Sequence, residues 1–483
     1  MSAEAIKLDR IEEYLWEIPR QGGMRVPGRI YASEKLMADL KDDNCLRQVM
    51  NVAHLPGIVG YSLAMPDIHW GYGFPIGGVS AVSLDEGVIS PGGVGYDINC
   101  GVRLVQTDLV FEQIKDKLTR VVEALFSVIP SGVGSEGAIA KLSKQDEKRL
   151  LRDGARWAVS EGYGYQDDLS HMEEGGRLAT ADAALISDRA LERGLKQVGT
   201  LGSGNHFLEI GRVEEIYLPQ VADTLCLFPD QIVILIHTGS RGLGYQICED
   251  SLKVMSKAMT KYGISLPDRQ LACTPIQSPE GQDYLAAMAA AANYAWANRQ
   301  VIMSQAEKAF MKALNSGPKD LGFSLLYDVC HNIAKIEDHV VDGKKRRLCV
   351  HRKGATRAFA PGHPQIPADY QNIGQPVLIP GDMGRYSYLS VGTETAMKKT
   401  FGSTCHGAGR TMSRAQSKKQ SQTMDIDQEM ARRGVVARYQ GRGTMAEEMP
   451  HAYKDVADVV ETMDHAGVSK RVARFRPVGV IKG

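Results

Sequence analysis

Residues 232–242 read IVILIHTGSRG, and the fold turns on how this stretch is read. Its first five residues are aliphatic without a polar break, the pattern of a short strand buried on both faces. His237 stands at the C-terminal end of that strand, where binding sites on sheets of α/β proteins tend to lie. A glycine-rich turn carrying Arg241 follows at once. The elements on either side do not alternate cleanly between strand and helix. The fold class expected is therefore α+β: a central sheet or sandwich core, lined by glycine-rich loops and flanked by helices.

Working outward, residues 34–52 predict an amphipathic helix starting after Ser33, and residues 111–129 and 145–160 predict further helices. A glycine-punctuated apolar region between the first two reads as short strands and turns. The longest helical pattern covers residues 279–316, rich in Ala and Met, with an Asn/Ala interruption near 293–298 that would divide it in two. Strands return in RRLCVHRKGATRAF and PVLIPGDMGRYSYL. The polar tail over residues 411–470 predicts helix, and RFRPVGVIKG closes the chain.

The 483 residues carry no net charge, so any basic surface is local. Glycine accounts for 50 of them and is concentrated in short motifs, as expected of loops around a site. There is no internal repeat and no Pro/Ser-rich linker, and a single composite domain over residues 1–483 is expected. No stretch of about 18 apolar residues predicts a membrane span. The N-terminal segment is charged throughout, and the 8 cysteines form no CxxC pair. Reducing cytoplasm is the expected compartment.

Five side chains of metal-ligand type sit in Gly/Asn-rich motifs like that of residues 237–242. Asp97 and Cys100 lie in GGVGYDINCGVR, His206 in GSGNHFLEI, His237 in IHTGSRG and His331 in YDVCHNIAK. Each alone reads as a core residue, since a free Cys is most often a small buried hydrophobe. Together, at glycine-lined junctions, they point to a borderline divalent transition metal, with Cys100 able to bridge two ions. Asn205 and Asn332 flank two of the histidines, and Glu209 follows three residues after His206. Backbone N–H groups with Arg241 and Arg410, in HTGSRGLG and HGAGR, suit phosphate. Arg352, Lys353 and Arg357 in VHRKGATR form a basic cluster whose bland alternative is a solvated strand edge. His406 in STCHGAGR is a candidate nucleophile toward phosphorus, with Cys405 its rival; adjacent extended residues point to opposite sides, so one of the two faces the site. No GxxxxGK[ST] phosphate loop is present.

These motifs, with MPDIHWGYGFPIGG (65–78) and the closing GVIKG, resemble the RtcB family of RNA ligases from about residue 27 to Gly483. The resemblance implies a ligase dependent on GTP and two Mn²⁺ ions. It would join RNA ends bearing a 2′,3′-cyclic phosphate or 3′-phosphate to a 5′-hydroxyl, in tRNA splicing or RNA repair. By motif, Cys100 would bridge the ions, one also taking His206 and His237, the other Asp97 and His331. His406 would carry GMP, and Asp67 would act behind it or in opening the cyclic phosphate. The nucleotide would lie against Asn205, His206, Phe207, Leu208, Glu209, His331, Asn332, Pro380, Gly381, Asp382, Met383, Ser387, Gly407, Ala408, Gly409 and Lys482. Arg241, Arg352, Lys353 and Arg410 would meet RNA phosphates. An archease-type activator is a possible partner, and a monomer is expected. Asp382 departs from the family pattern, in which many relatives carry Ser; a carboxylate there repels a triphosphate unless it faces guanine N–H groups or Arg385. Trp70 is a second departure, one that bears on the RNA surface. The competing readings are a dinuclear metallohydrolase of cyclic phosphates or phosphoesters without guanylylation, and a non-catalytic RNA-binding protein with a structural metal.

Overall fold

The computed structural model describes residues 6–40, 44–194 and 196–483. The aliphatic run forms the strand Gln231–Thr238, buried at every position. Its side chains alternate between two cores: Ile232, Ile234 and Ile236 enter one, Val233 and Leu235 another. Truncating any of these to Ala would cost about 2–5 kcal/mol, because the packed interior closes over a void only in part.

This strand is interior to an eight-stranded sheet. The order is Ser324–Cys330, Gly101–Val110, Gln231–Thr238, Phe207–Ile216, Ser469–Lys482, Ser387–Gly392 and Pro376–Ile379, all antiparallel neighbours, with Val436–Tyr439 added in parallel beside Ser469–Lys482. A second, seven-stranded sheet runs Asp9–Glu12, Leu15–Ile18, Gly28–Tyr31, Ile58–His69, Ile76–Ser83, Lys344–Lys353 and Asn332–Val341. The chain passes from one sheet to the other at His331, the residue between Ser324–Cys330 and Asn332–Val341. Largely antiparallel sheets with helices packed around them make the fold α+β.

Several helices differ from the expected spans. The helix over 34–52 is two, Glu34–Leu40 and Cys45–Val52, with residues 41–43 outside the described residues. The helix over 145–160 divides at Gly154, whose φ of +59° ends one helix and starts the next. The expected break near 293–298 is absent: Pro279–Leu314 is one helix of 36 residues. Asn293 and Asn298 are fully buried and hold other segments. Asn293 receives the Leu178 N–H and donates to Leu151 O, while Asn298 receives the N–H groups of Gly199 and Thr200. The tail is not wholly helical either, since Val436–Tyr439 pairs with the C-terminal strand. No helix of the described residues is long and apolar enough to cross a membrane.

Candidate active site

One end of the eight-stranded sheet gathers the ligand motifs. Register places Gly101 opposite both Thr238 and Cys330, and Phe207 opposite both His237 and Lys482. Cys100, His206, His237, His331 and Lys482 therefore share one rim, although the sequence spreads them from residue 100 to residue 482. Backbone hydrogen bonds tie the loops together: His331 N–H to Cys100 O at 2.9 Å and Asn99 N–H to Asn332 O at 2.7 Å. Gly239 is required beside them, because a Cβ there would lie 2.5 Å from the Asp97 carboxylate.

Ligand atoms converge at the rim. Asp97 Oδ2 is 2.8 Å from His206 Nε2, Cys100 Sγ is 3.5 Å from His206 Nε2 and 3.3 Å from His237 Nε2, and His237 and His331 Nε2 are 3.3 Å apart. Asp97, Cys100 and His206 form one group of metal-ligand atoms, and Cys100, His237 and His331 a second. Cys100 is thus common to both, and its Sγ lies close to the Nε2 atoms of both His206 and His237.

The electrostatics suit a cation. Burial, then the Asp97 charge, push the Cys100 thiol well above its ordinary range. Burial and nearby cationic groups hold His237 and His331 well below theirs, so both are neutral with lone pairs to offer. Burial would raise Asp97 too, but His206 and Arg241 outweigh it and the carboxyl falls below the usual range. His206 is oriented by its other nitrogen, Nδ1, which donates to Leu201 O at 3.0 Å and turns Nε2 toward Asp97 and Cys100. A thiol and a carboxylate among three imidazoles form a donor set that a divalent ion completes.

Beneath the rim, Arg299 of the long helix donates to Asn99 O and Thr238 O, both at 2.9 Å, and to both oxygens of Asp328. This buried arginine fixes the two ligand loops to each other. Sequence reading missed it, because one Arg in an Ala-rich helix carries no local signal of its partners.

His406 follows the strand Ser403–Cys405, and its ring centroid is 4.8 Å from that of His331. Asp67, fully buried, accepts from His406 Nδ1 at 2.5 Å, from the His406 backbone N–H at 2.9 Å and from Gly407 N–H at 3.2 Å, all on Oδ2. Burial alone would raise the Asp67 carboxyl; His406 and Lys454 overcome it and hold it below the usual range. Cys405 points the other way, into the apolar core, as the alternation of extended residues requires. Gly409, at φ +73°, lies so near that a Cβ would fall 2.2 Å from Asp67 O.

A cavity of about 760 Å³ opens over both features. It is lined by Asp97, Cys100, His237, His331 and His406, and by Asn205, Phe207, Asn332, Lys353, Pro380, Gly381, Asp382, Met383, Gly407, Ala408, Gly409, Arg410 and Lys482. Lys482 donates to His206 O at 3.5 Å, and burial lowers it to about 8. Glu209 and Ser387 stand behind the wall, with Ser387 Oγ donating to Glu209 Oε1 at 3.1 Å. Burial raises the Glu209 carboxyl to about 8, so it is protonated at neutral pH. Asp382 lies 3.1 Å from Arg385, which offsets the repulsion expected of it.

Three expected contacts lie outside the cavity lining, and a fourth, Arg410, lines it but is engaged by other side chains. Leu208 is a core side chain. Arg352 is buried, paired with Glu337 at 2.7 and 2.8 Å and bonded to Ser403 Oγ, so its charge is not offered to RNA. Arg410 is engaged by Glu448 at 3.1 Å, by Tyr453 OH at 3.2 Å and by Glu447 O. Arg241, outside the cavity lining, donates to Thr200 Oγ1 at 3.2 Å. Lys353 does line the cavity, with Nζ donating to Tyr72 O and to Phe74 O; burial lowers it to about 7. Unforeseen lining residues include His69, Tyr72, Tyr96, Glu448 and Tyr453. Tyr72 and Tyr96 were inside quoted motifs, whereas Glu448 and Tyr453 lie in the polar tail without any local signal.

Two ligand triads sharing a cysteine, with a buttressed histidine beside them, make a candidate dinuclear metal centre next to a candidate nucleophile. Residues 48–483 match the family described as tRNA-splicing ligase RtcB. The tRNA-splicing ligase RtcB of Archaeoglobus fulgidus is 53% identical over 485 residues, covering 100% of both chains. That of Thermococcus kodakarensis is 51% identical over 481 residues, 99% of this chain and 100% of that one. That of Nanoarchaeum equitans is 48% identical over 479 residues, with 99% and 100% covered. The chain belongs to the RtcB family.

Proposed function

We propose that this RtcB family member is a GTP- and Mn²⁺-dependent RNA ligase that joins a 3′-phosphate or 2′,3′-cyclic phosphate end to a 5′-hydroxyl end through a His406–GMP adduct, in tRNA splicing or RNA repair. The observation that carries this reading is His406 itself. Its Nδ1 is committed to the buried Asp67 carboxylate, which leaves the Nε2 lone pair for chemistry in a residue that lines the large cavity. A neutral imidazole of fixed tautomer is a good nucleophile toward phosphorus.

Nε2 attacks the α-phosphorus of GTP; the N–P bond forms as the bond to pyrophosphate breaks, and the Asp67 charge stabilises the cationic ring. After hydrolysis of any cyclic phosphate, an RNA 3′-phosphate oxygen takes GMP from the imidazole. The activated phosphorus now has a leaving group that a bare phosphate dianion lacks. The 5′-hydroxyl attacks it and GMP departs. Two Mn²⁺ ions, held by Asp97, Cys100, His206, His237 and His331 with Cys100 shared between them, would supply the positive charge that these phosphates need. Asn205, Phe207, Lys482 and the 380–383 turn supply the walls for guanosine, with Glu209 and Ser387 behind them.

The test is incubation with Mn²⁺ and α-labelled GTP, followed by denaturing electrophoresis. The wild type is expected to carry an acid-labile label and His406→Ala none. An unlabelled wild type would overturn the guanylylation step and favour a metallohydrolase; label on both would move the nucleophile elsewhere.

A further inference from the structure

One wall of the cavity continues outward as a ladder of tyrosines. Tyr72 and Tyr96 line the cavity, their rings edge to face with centroids 5.6 Å apart. Tyr96 stacks in turn on Tyr245, with centroids 4.8 Å apart and planes at 26°. Tyr245 lies outside the lining and is 41% exposed, with the Arg193 guanidinium 5.0 Å from its ring centre. Trp70, 56% exposed, lines the same cavity.

The rings arrive from separate segments. Trp70 and Tyr72 lie in the turn after Ile58–His69, Tyr96 in the loop before Cys100, and Tyr245 on the helix Arg241–Lys261. Single exposed aromatics need no explanation, but a run of rings leading out of a functional cavity is a surface with a direction. Aromatic side chains accept planar bases by stacking, and because every base has a π-face the recognition tolerates any sequence. A guanidinium against the outermost ring adds positive charge where a phosphate backbone would pass.

We propose that Tyr72, Tyr96, Tyr245 and Trp70 form a stacking platform for the unpaired bases of the RNA strand that enters the cavity. The inference rests on the RNA-ligase reading and deepens it: the substrate end must be single-stranded for a few nucleotides, and its sequence matters little. A fully paired blunt end cannot stack on the ladder without fraying.

Tyr245 supplies the test, because it lies outside the cavity and the nucleotide walls. Binding of a fluorescent single-stranded RNA to the Mn²⁺-loaded full-length protein is measured for wild type, Tyr245→Ala and Tyr245→Phe, with intact RNA and with RNA carrying abasic sites next to its end. His406–GMP formation is followed in parallel. Tyr245→Ala is expected to weaken RNA binding by roughly 5- to 100-fold. Phe should restore it, and guanylylation should stay within about twofold, which also shows that the variant is folded. Abasic sites should weaken wild-type binding and add little to the loss in Tyr245→Ala, since the two changes remove one interaction. Unchanged RNA affinity in Tyr245→Ala, or full additivity with the abasic sites, would overturn the platform. A wild type that binds RNA through the ladder but never forms the GMP adduct would instead sink the ligase reading and leave the platform standing.

Discussion

Replacing Asp67 by Asn tests the central feature of the site. Three donors converge on Asp67 Oδ2: His406 Nδ1 at 2.5 Å and the backbone N–H groups of His406 and Gly407 at 2.9 and 3.2 Å. Asn has one carbonyl oxygen and one NH₂ group. Only the oxygen satisfies three donors at that point, so it takes the Oδ2 place and the NH₂ takes that of Oδ1, which has no hydrogen-bond partner among the described residues. The His406 tautomer is then kept, and what disappears is the charge. A hydrogen bond to a charged group contributes about 1.5–3 kcal/mol. The imidazole becomes cationic as Nε2 attacks, so this loss falls on the transition state and slows adduct formation roughly 10- to 150-fold. Were the amide to turn round, Nε2 would carry the proton and the loss would approach the ~10⁴ of a serine protease whose Asp–His pair holds the wrong tautomer. The assay is the single-turnover rate of His406–GMP formation at saturating GTP and Mn²⁺, with GTP affinity measured separately. The rate should drop while the affinity holds. A rate within threefold of wild type would show that Asp67 does not prepare His406.

Three further outcomes follow from particular contacts. Cys100→Ala should abolish binding of both ions in native mass spectrometry while His206→Ala removes one, because Cys100 belongs to both triads; two ions retained without Cys100 would refute the shared ligand. Arg352→Met strands the buried Glu337 carboxylate and should lower unfolding free energy in guanidinium by about 3–5 kcal/mol, with RNA affinity of the folded protein unchanged. Selective loss of RNA affinity at full stability would return Arg352 to the RNA surface. Glu147 is 5% exposed, its Oε1 has no partner among the described residues, and burial raises its carboxyl to about 7. The folded state therefore holds this proton more tightly than the unfolded chain does, so stability declines as pH rises from about 4.5 to 7. Glu147→Gln should exceed wild type by about 1–2 kcal/mol at pH 8, discounting for residual solvation, and match it near pH 4.5. Equal gaps at both pH values, in denaturant titrations, would contradict this.

What could be read from the sequence divides along a physical line. The strand at 231–238 was legible because five aliphatic residues in a row state their burial locally. The ligand residues were legible because glycine beside Cys or His announces a junction where backbone and side chains crowd. Their convergence on one rim was not: it depends on the register of strands far apart in sequence, and no residue near His206 encodes it. The same blindness produced the opposite error in the long helix. Asn293 and Asn298 looked like an interruption, since unpartnered polar groups do not belong in a buried helix. Their partners are the backbones of residues 151–152, 178 and 199–200, which only the fold brings there. Arg352 was misread in the same way: it sits in a basic run, VHRKGATR, yet the strand pairing turns it inward onto Glu337, while its neighbour Lys353 reaches the cavity wall. In an extended strand adjacent side chains take opposite faces, so a cluster of charges in sequence need not be a cluster in space. A basic run on a strand thus offers a site at most every second cation, and the partner of each must be found before any is given to a ligand.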